Sequence, residues 1–302
     1  MQFENNLENQ SVTVSKLIIG CGYLGKRVAA EWLDQGQRVS ALTRSEEHAD
    51  RFRSQGIEPI IGDVTDVDSL SQLPKAETVL YSVGFDRQSG KSQREIYVDG
   101  LENVLKQIAS RFGRLIFISS TSVYGQSEAE WVDETSPTKP ARDNGKICLE
   151  AERLVWKYSA QQEPPSSATT NVLRLAGIYG PGRLLRRLDE AKSGEPIAGN
   201  PAAWLNLIHV DDAVRAILAC EKQGQPGETY LVCDDKPITR REYYQALAER
   251  VSAEAPIFTE NDESHNLNKR CSNRKLQNEL NVELRFPTLH EGLANAIQNE
   301  AR

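Results

Sequence analysis

The chain has 302 residues, 39% hydrophobic and 26% charged, long enough for one large core or two modest ones. Its 36 Lys+Arg stand against 43 Asp+Glu, a net charge of −7 spread along the chain, which argues against nucleic acid and anionic membranes as partners. The longest apolar runs, such as the one around residues 115–118, are far shorter than the roughly 20 residues that cross a bilayer.

Residues 1–15, MQFENNLENQSVTVS, lack the basic start and apolar centre of a secretory signal and are expected to form a flexible extension on a cytoplasmic protein. From there the chain repeats a unit of β-branched run, turn and amphipathic stretch. Strands are predicted at 16–20, 38–43, 57–62, 78–83, 114–120 and 170–176, with helices near 23–35, 45–55, 91–111 and 145–161. That alternation predicts a parallel, doubly wound α/β sheet. The Pro-, Ser- and charge-rich segment 125–145 is long for a loop in a compact domain and reads as functional or mobile. After residue 180 the rhythm loosens. Helices are expected near 183–193, from 211, at 240–252 and at 288–299, and strands at 204–209 and 229–233. The expected division is a dinucleotide-binding domain over 16–180 and, over 181–302, a small substrate-binding lid with segments returning to the sheet. Residues 163–167 read as a polar spacer. Cys21, Cys148, Cys220, Cys233 and Cys271 are odd in number, widely spaced and without a CxxC pair, which predicts buried thiols.

The run LIIGCGYLG places Gly20, Gly22 and Gly25, with Tyr23 and Leu24 between them, after the first strand and at the head of a helix. Gly20 would permit the turn, Gly22 would let the backbone approach a pyrophosphate, and Gly25 would pack helix on strand, with the helix's free N–H groups facing the phosphates. The second strand ends Leu42-Thr43-Arg44, without the acid that holds a ribose 2′-hydroxyl in NAD sites. Thr43 and Arg44 therefore point to a 2′-phosphate, hence NADP, with NAD as the alternative. His209 with Asp211 and Asp212 reads as a helix start, and no metal site is expected.

GCGYLG (20–25), GDVTD (62–66), FISSTSVYG (117–125), LRLAGIYGPGR (173–183), LIHVDDAV (207–214) and EGLANAI (291–297) together resemble the extended and atypical short-chain dehydrogenases/reductases, the NAD-dependent epimerase/dehydratase group with its Rossmann fold. The resemblance implies that Asp63 and Val64 meet the adenine and that Ser82, Val83 and Gly84 line the cofactor. It also implies that Ser120 is the active-site hydroxyl and that Lys146 binds the nicotinamide ribose. The family's Tyr, four residues before that Lys, is here Arg142, and no Tyr in the chain is followed by Lys at the fourth position. A guanidinium does not donate a catalytic proton, so the candidate substitutes are Tyr124, Tyr179, water or the substrate itself, with Tyr124 taken as the catalytic candidate. Two further departures are Gly177, where nucleotide-sugar enzymes carry Asn, and the short span of 27 residues between Pro181 and His209. Arg142 and Lys146 would stand one helical turn apart, which favours an anionic group on the substrate unless Arg142 turns outward to an acid such as Glu134 or Asp143. The implied function is an NADP-dependent oxidoreductase or an epimerase/dehydratase-type enzyme acting on a small alcohol, carbonyl or sugar-like substrate, as a monomer or homodimer. The alternative is a catalytically silent NADP(H) sensor or scaffold.

Overall fold

The computed structural model describes residues 15–109, 111–161, 168–183, 185–259 and 267–298. Residues 1–14 of the expected extension and the spacer at 163–167 lie outside them. In chain order come β1 (Ser15–Ile19), α1 (Gly25–Asp34), β2 (Arg38–Thr43), α2 (Glu46–Ser54), β3 (Glu58–Ile61), β4 (Ala76–Tyr81), α3 (Gly100–Ile108), β5 (Phe112–Ser120), β6 (Glu130–Val132), α4 (Asp143–Ala160) and β7 (Thr169–Leu175). These are followed by β8 (Gly177–Tyr179), α5 (Leu185–Ser193), β9 (Ile197–Ala198), β10 (Trp204–Leu205), β11 (Leu207–His209), α6 (Val210–Gln223) and β12 (Thr229–Val232). The last elements are β13 (Ile238–Thr239), α7 (Arg240–Arg250), β14 (Phe258–Thr259), β15 (Lys269–Cys271), α8 (Arg274–Leu280) and α9 (Leu289–Gln298).

Seven strands form one sheet in the order β12-β7-β5-β4-β1-β2-β3, every pair parallel. Strands covered on both faces are buried at successive positions, which is why SKLII ends in three consecutive apolar residues and RVSALT is buried from Val39 to Thr43 despite its polar Ser40 and Thr43. One face is packed by Val28, Ala29 and Trp32 of α1 and by Ala213, Ala216 and Ile217 of α6. The other is packed by Leu101, Val104 and Leu105 of α3 and by Ala151 and Val155 of α4. A separate apolar cluster holds the smaller part together, with Leu188 of α5, Leu247 of α7 and Leu293 of α9. The chain reverses direction of growth between β1 and β4, so the carboxyl ends of these two neighbours form the crevice where open α/β sheets bind ligands.

Two expectations are corrected. The stretch 91–111 is not one regular helix: a π-type turn over Glu95–Asp99 leads into α3, which ends at Ile108. The strand at 204–209 divides at Asn206, whose side chain donates to the Lys269 carbonyl at 2.9 Å and accepts from the Cys271 N–H at 2.6 Å. β10 therefore pairs with β13 and β11 with β8. The segment 125–145 carries β6, which lies parallel to β15, and its Glu134 carboxylate oxygen accepts the Leu231 N–H at 2.6 Å. Glu134 thus serves the edge strand of the sheet.

Candidate active site

The glycine turn does what its spacing demands. Gly20 sits at φ +94°, and the Gly22 N–H returns to the Gly20 carbonyl at 2.9 Å. Ser82, at the end of β4, donates its hydroxyl to the Gly20 carbonyl at 2.9 Å, and its N–H reaches the Ile19 carbonyl at 2.8 Å. α1 then begins with no side-chain cap and no acid in its first turn. The Lys26 and Arg27 N–H groups turn back onto the Gly22 and Leu24 carbonyls at 3.0 Å each, and the positive end of the helix dipole favours an anion beside the turn. A side chain at Gly22 or Gly84 would meet no atom within 4 Å, so both glycines face open space.

That space is a cavity of about 390 Å³, which brings together Gly20, Gly22, Thr43, Arg44, Asp63, Val64, Val83 and Gly84. The remaining expected cofactor residues stand around it. Gly25 packs under the turn, where a Cβ would come within 2.8 Å of the Gly20 carbonyl oxygen. Leu24 is buried in the core. Tyr23 donates its hydroxyl to the Pro181 carbonyl at 2.9 Å, and its ring lies against the Arg27 and Arg183 guanidinium groups. Lys26, His48, Phe85, Asp86 and Lys91 also line the cavity and were not found in the sequence. Only Lys26 carried a local signal, as a cation in the first turn of the helix that follows the glycines. On the rim, Arg44 donates to Asp86 at 2.7 Å. The Arg44 hydrogen bond and the Gln88 N–H hold the Asp86 carboxyl below its ordinary pKa. The turn after β3 is fixed by Asp63, whose carboxylate accepts from both the N–H and the hydroxyl of Thr65.

Ser120 ends β5 at the carboxyl edge of the sheet and accepts the Ser122 N–H at 3.1 Å, which caps the short turn Thr121–Val123. The α4 helix approaches this turn closely, because any side chain at Gly145 would overlap the Ser122 carbonyl. Lys146, the next residue, is thereby placed beside the Ser120 turn; its ammonium donates to Asp143 at 2.9 Å. Arg142 is the N-cap of α4, and its carbonyl accepts the Lys146 N–H at 3.1 Å.

Tyr124 does not fill the role expected of it. It is 0% exposed, and its hydroxyl accepts from Arg174 Nη1 at 2.9 Å. Arg174 in turn forks onto Glu152, Nε to Oε1 at 3.0 Å and Nη2 to Oε2 at 2.7 Å, while Ser119 donates to Glu152 at 2.5 Å. Burial raises the Tyr124 pKa, with Arg174 opposing. The residue is a core anchor because its ring fills the space under the β5 turn and its only polar atom is taken. Tyr179 is likewise buried, with its hydroxyl on the Thr288 carbonyl at 3.4 Å. The helix start at 209–212 is also built differently from the expected Asp cap. His209 is the N-cap, its Nδ1 accepting the Asp211 N–H at 3.2 Å, while Asp212 accepts the Arg285 and Phe286 N–H groups. Among the described residues, no cluster of three or more His, Cys, Asp or Glu side chains is arranged to hold a metal.

Asp234, just beyond β12, is 2% exposed, and neither carboxylate oxygen has a hydrogen-bond partner. Burial first, and the charges of Asp235 and Asp212 after it, push its pKa up to about 8. The unfolded carboxyl titrates near roughly 4. The neutral folded form therefore contributes stability that is fully present below that value and is lost as pH rises through about 8. Asp234→Asn keeps the group neutral throughout and is expected to flatten the dependence of Tm on pH across this window and to exceed the parent in stability at pH 9. Equal slopes for the two proteins in thermal melts between pH 5 and 9 would overturn this account.

A sequence model of the NAD dependent epimerase/dehydratase family matches residues 17–233, and the chain belongs to that family, whose members are oxidoreductases, epimerases and dehydratases. It is an NAD(P)-binding oxidoreductase or epimerase/dehydratase-like protein of the short-chain dehydrogenase/reductase type. Protein YeeZ of Escherichia coli K12 is 28% identical over 89% of this chain and 95% of its own. A 4-hydroxy-2-methyl-3-oxo-4-farnesyl-3,4-dihydroquinoline-1-oxide ketoreductase of Stigmatella aurantiaca is 26% identical over 79% of this chain and 73% of its own. Among solved structures, the UDP-glucose 4-epimerase of Thermotoga maritima shares the fold, with a TM-score of 0.81 over 95% of this chain and 99% of its own at 18% identity. Among the described residues, no helix is long and apolar enough to cross a membrane.

Proposed function

We propose that the chain is an NADP(H)-dependent oxidoreductase, or an epimerase or dehydratase working through transient oxidation, that acts on a small alcohol, carbonyl or sugar-like substrate in the cytoplasm as a monomer or homodimer. Residues 16–180 hold the dinucleotide and most of 181–302 the substrate. The reading rests on one observation: the cavity at the ends of β1 and β4 joins an uncapped helix N-terminus to Arg44 on its rim. Gly20, Gly22, Tyr23, Leu24 and Gly25 form the turn that receives the pyrophosphate, and Gly22 leaves the space it needs. Arg44, with Thr43, takes the 2′-phosphate; a guanidinium has five donors, so it can keep Asp86 while it does so. Asp63 and Val64 flank the adenine, and Ser82, Val83 and Gly84 line the middle of the dinucleotide. NADP(H) supplies the hydride acceptor or donor. Ser120 hydrogen-bonds the reacting oxygen, and Lys146 leaves Asp143 to hold the nicotinamide ribose. With Tyr124 and Tyr179 buried, the proton comes from water or from the substrate itself. General acid–base help is worth roughly 10² to 10⁴ in rate, so turnover is slow rather than absent.

The catalytically silent NADP(H) sensor or scaffold is the second reading, favoured by Arg142 at the position where the family's tyrosine stands. Calorimetric titration with NADPH and NADH tests the cofactor assignment. NADPH is expected to bind more tightly by about 1 to 3 kcal/mol, and Arg44→Ala to erase most of that difference. Equal affinities in the parent would remove the role given to Arg44. Consumption of NADPH in a screen of aldehydes, ketones and sugars separates an oxidoreductase from the sensor, and conversion of a sugar-like substrate without net cofactor consumption separates an epimerase or dehydratase from it.

A further inference from the structure

An ion pair crosses the cavity at the ends of β1 and β4 from opposite sides. Arg44 follows β2, Asp86 stands in the loop after β4, and both line the cavity. Because β1 lies between β2 and β4 in the sheet, the pair reaches across the carboxyl end of β1. Arg44 Nη2 donates to Asp86 Oδ2 at 2.7 Å, with the two side chains 51% and 42% exposed. The turn that carries Asp86 is fixed by hydrogen bonds of its own. Asp86 Oδ1 accepts the Gln88 N–H at 2.9 Å, and the Asp86 carbonyl accepts the Ser89 hydroxyl at 2.7 Å. The carboxylate is thereby aimed at Arg44 by its own loop, and Arg44 and the Gln88 N–H keep it ionised by lowering its pKa. Exposed pairs add little to stability, so the consequence of this one lies in what else Arg44 can hold.

We propose that Asp86 is a specificity-determining residue of the cofactor site: its charge offsets part of the attraction between Arg44 and a 2′-phosphate, and so sets how strongly NADP(H) is preferred over NAD(H). This deepens the function proposed above and rests on its assignment of the dinucleotide to this cavity. A phosphate gripped by the same guanidinium that holds Asp86 stands within about 8 Å of the carboxylate, two hydrogen-bond lengths plus the width of the guanidinium. That is about one Debye length at physiological salt, so the repulsion is weakened but not removed. The 2′-hydroxyl of NAD(H) is uncharged and does not meet it. Asp86 therefore acts against one cofactor and spares the other, and no acid closing β2 is needed for NAD(H) to remain a competitor.

Calorimetric titration of NADPH and NADH into the parent, Asp86→Asn and Asp86→Glu is the test. Lys26, His48, Asp63 and Lys91 line the same cavity and are unchanged in all three proteins. Asparagine keeps the Oδ1 acceptor for the Gln88 N–H and removes the charge, so Asp86→Asn is expected to fold as the parent does. Its NADPH affinity is expected to rise about threefold to tenfold, and its NADH affinity to stay within about twofold of the parent. Asp86→Glu keeps the charge and is expected to keep the parent's ratio of the two affinities. The gain in Asp86→Asn is also expected to shrink between about 0.1 M and about 1 M salt, where the Debye length falls from about 10 Å to about 3 Å; a change in loop shape alone would not follow salt. An affinity ratio that Asp86→Asn leaves unmoved, or moves without regard to salt, overturns the inference while the cofactor assignment stands. If the parent binds the two dinucleotides equally and Asp86→Asn prefers NADPH, the inference stands and the parent's NADP preference falls. If neither dinucleotide binds the parent, both fall.

Discussion

Gly22→Val is expected to leave the protein folded, with Tm within about 2 °C of the parent, and to abolish binding of NADPH and NADH alike. A Cβ at Gly22 meets nothing within 4 Å, so the apolar branches of valine extend into the cavity proposed for the pyrophosphate. Gly20→Val is the contrasting variant. There φ is +94°, and a Cβ would lie 2.5 Å from the Ser82 carbonyl carbon and from the Val83 nitrogen, backbone atoms that cannot swing away. Left-handed strain alone is worth about 1 to 3 kcal/mol, and the overlap adds to it, so Gly20→Val is expected to melt well below the parent or to fail to fold. Thermal melts and calorimetric titration of the two variants separate a packing glycine from a cofactor glycine. Normal dinucleotide binding by Gly22→Val would mean that the turn does not hold the phosphates.

The second large effect is expected at the buried pair under the Ser120 turn. Glu152 and Arg174 have side chains 2% and 9% exposed, and Tyr124 and Ser119 complete their hydrogen bonds. Glu152→Ala would leave a guanidinium buried with only Tyr124 as partner, and breaking one side of such a pair costs about 3 to 5 kcal/mol. At roughly 2 to 4 °C per kcal/mol, Tm should fall by about 6 to 20 °C. The double variant Glu152→Leu with Arg174→Met removes both charges and is expected to recover a large part of that loss. Chemical denaturation of the parent, Glu152→Leu, Arg174→Met and the double variant measures the coupling. A Glu152→Ala loss below about 1 kcal/mol would mean the pair contributes no more than an exposed one.

The glycine-lined crevice at the ends of β1 and β4 was legible because its signals are local. A glycine turn between a strand and a helix is written in consecutive residues, and Arg44 closes the neighbouring strand. The parallel order was legible too, since apolar runs spaced by amphipathic helices admit few other arrangements. What the sequence hid was the destination of side chains. Tyr124 and Ser120 lie on the same short turn, yet one faces the core and the other the sheet edge, and only the packing of Arg174 and Glu152 decides which. Asp86 meets Arg44 across 42 positions, a pairing that no local motif announces. The division of 204–209 depends on a single side chain, that of Asn206, bridging to residues 269 and 271, a tertiary contact that no periodicity records.

The place of β12 sets the order in which the sheet is completed. β7 ends at Leu175, but its outer neighbour begins at Thr229, after the whole excursion from β8 to α6. A chain synthesised only as far as the end of α6 would present the outer hydrogen-bonding edge of β7 to any other strand, and open edges of this kind are templates for association between chains. When β12 docks, that edge moves outward by one strand and Glu134 immediately occupies the Leu231 N–H. The seventh strand and the carboxylate on its flank thus turn a growing sheet into a finished one, and solubility during synthesis depends on how quickly the residues from 176 to 232 emerge and fold back.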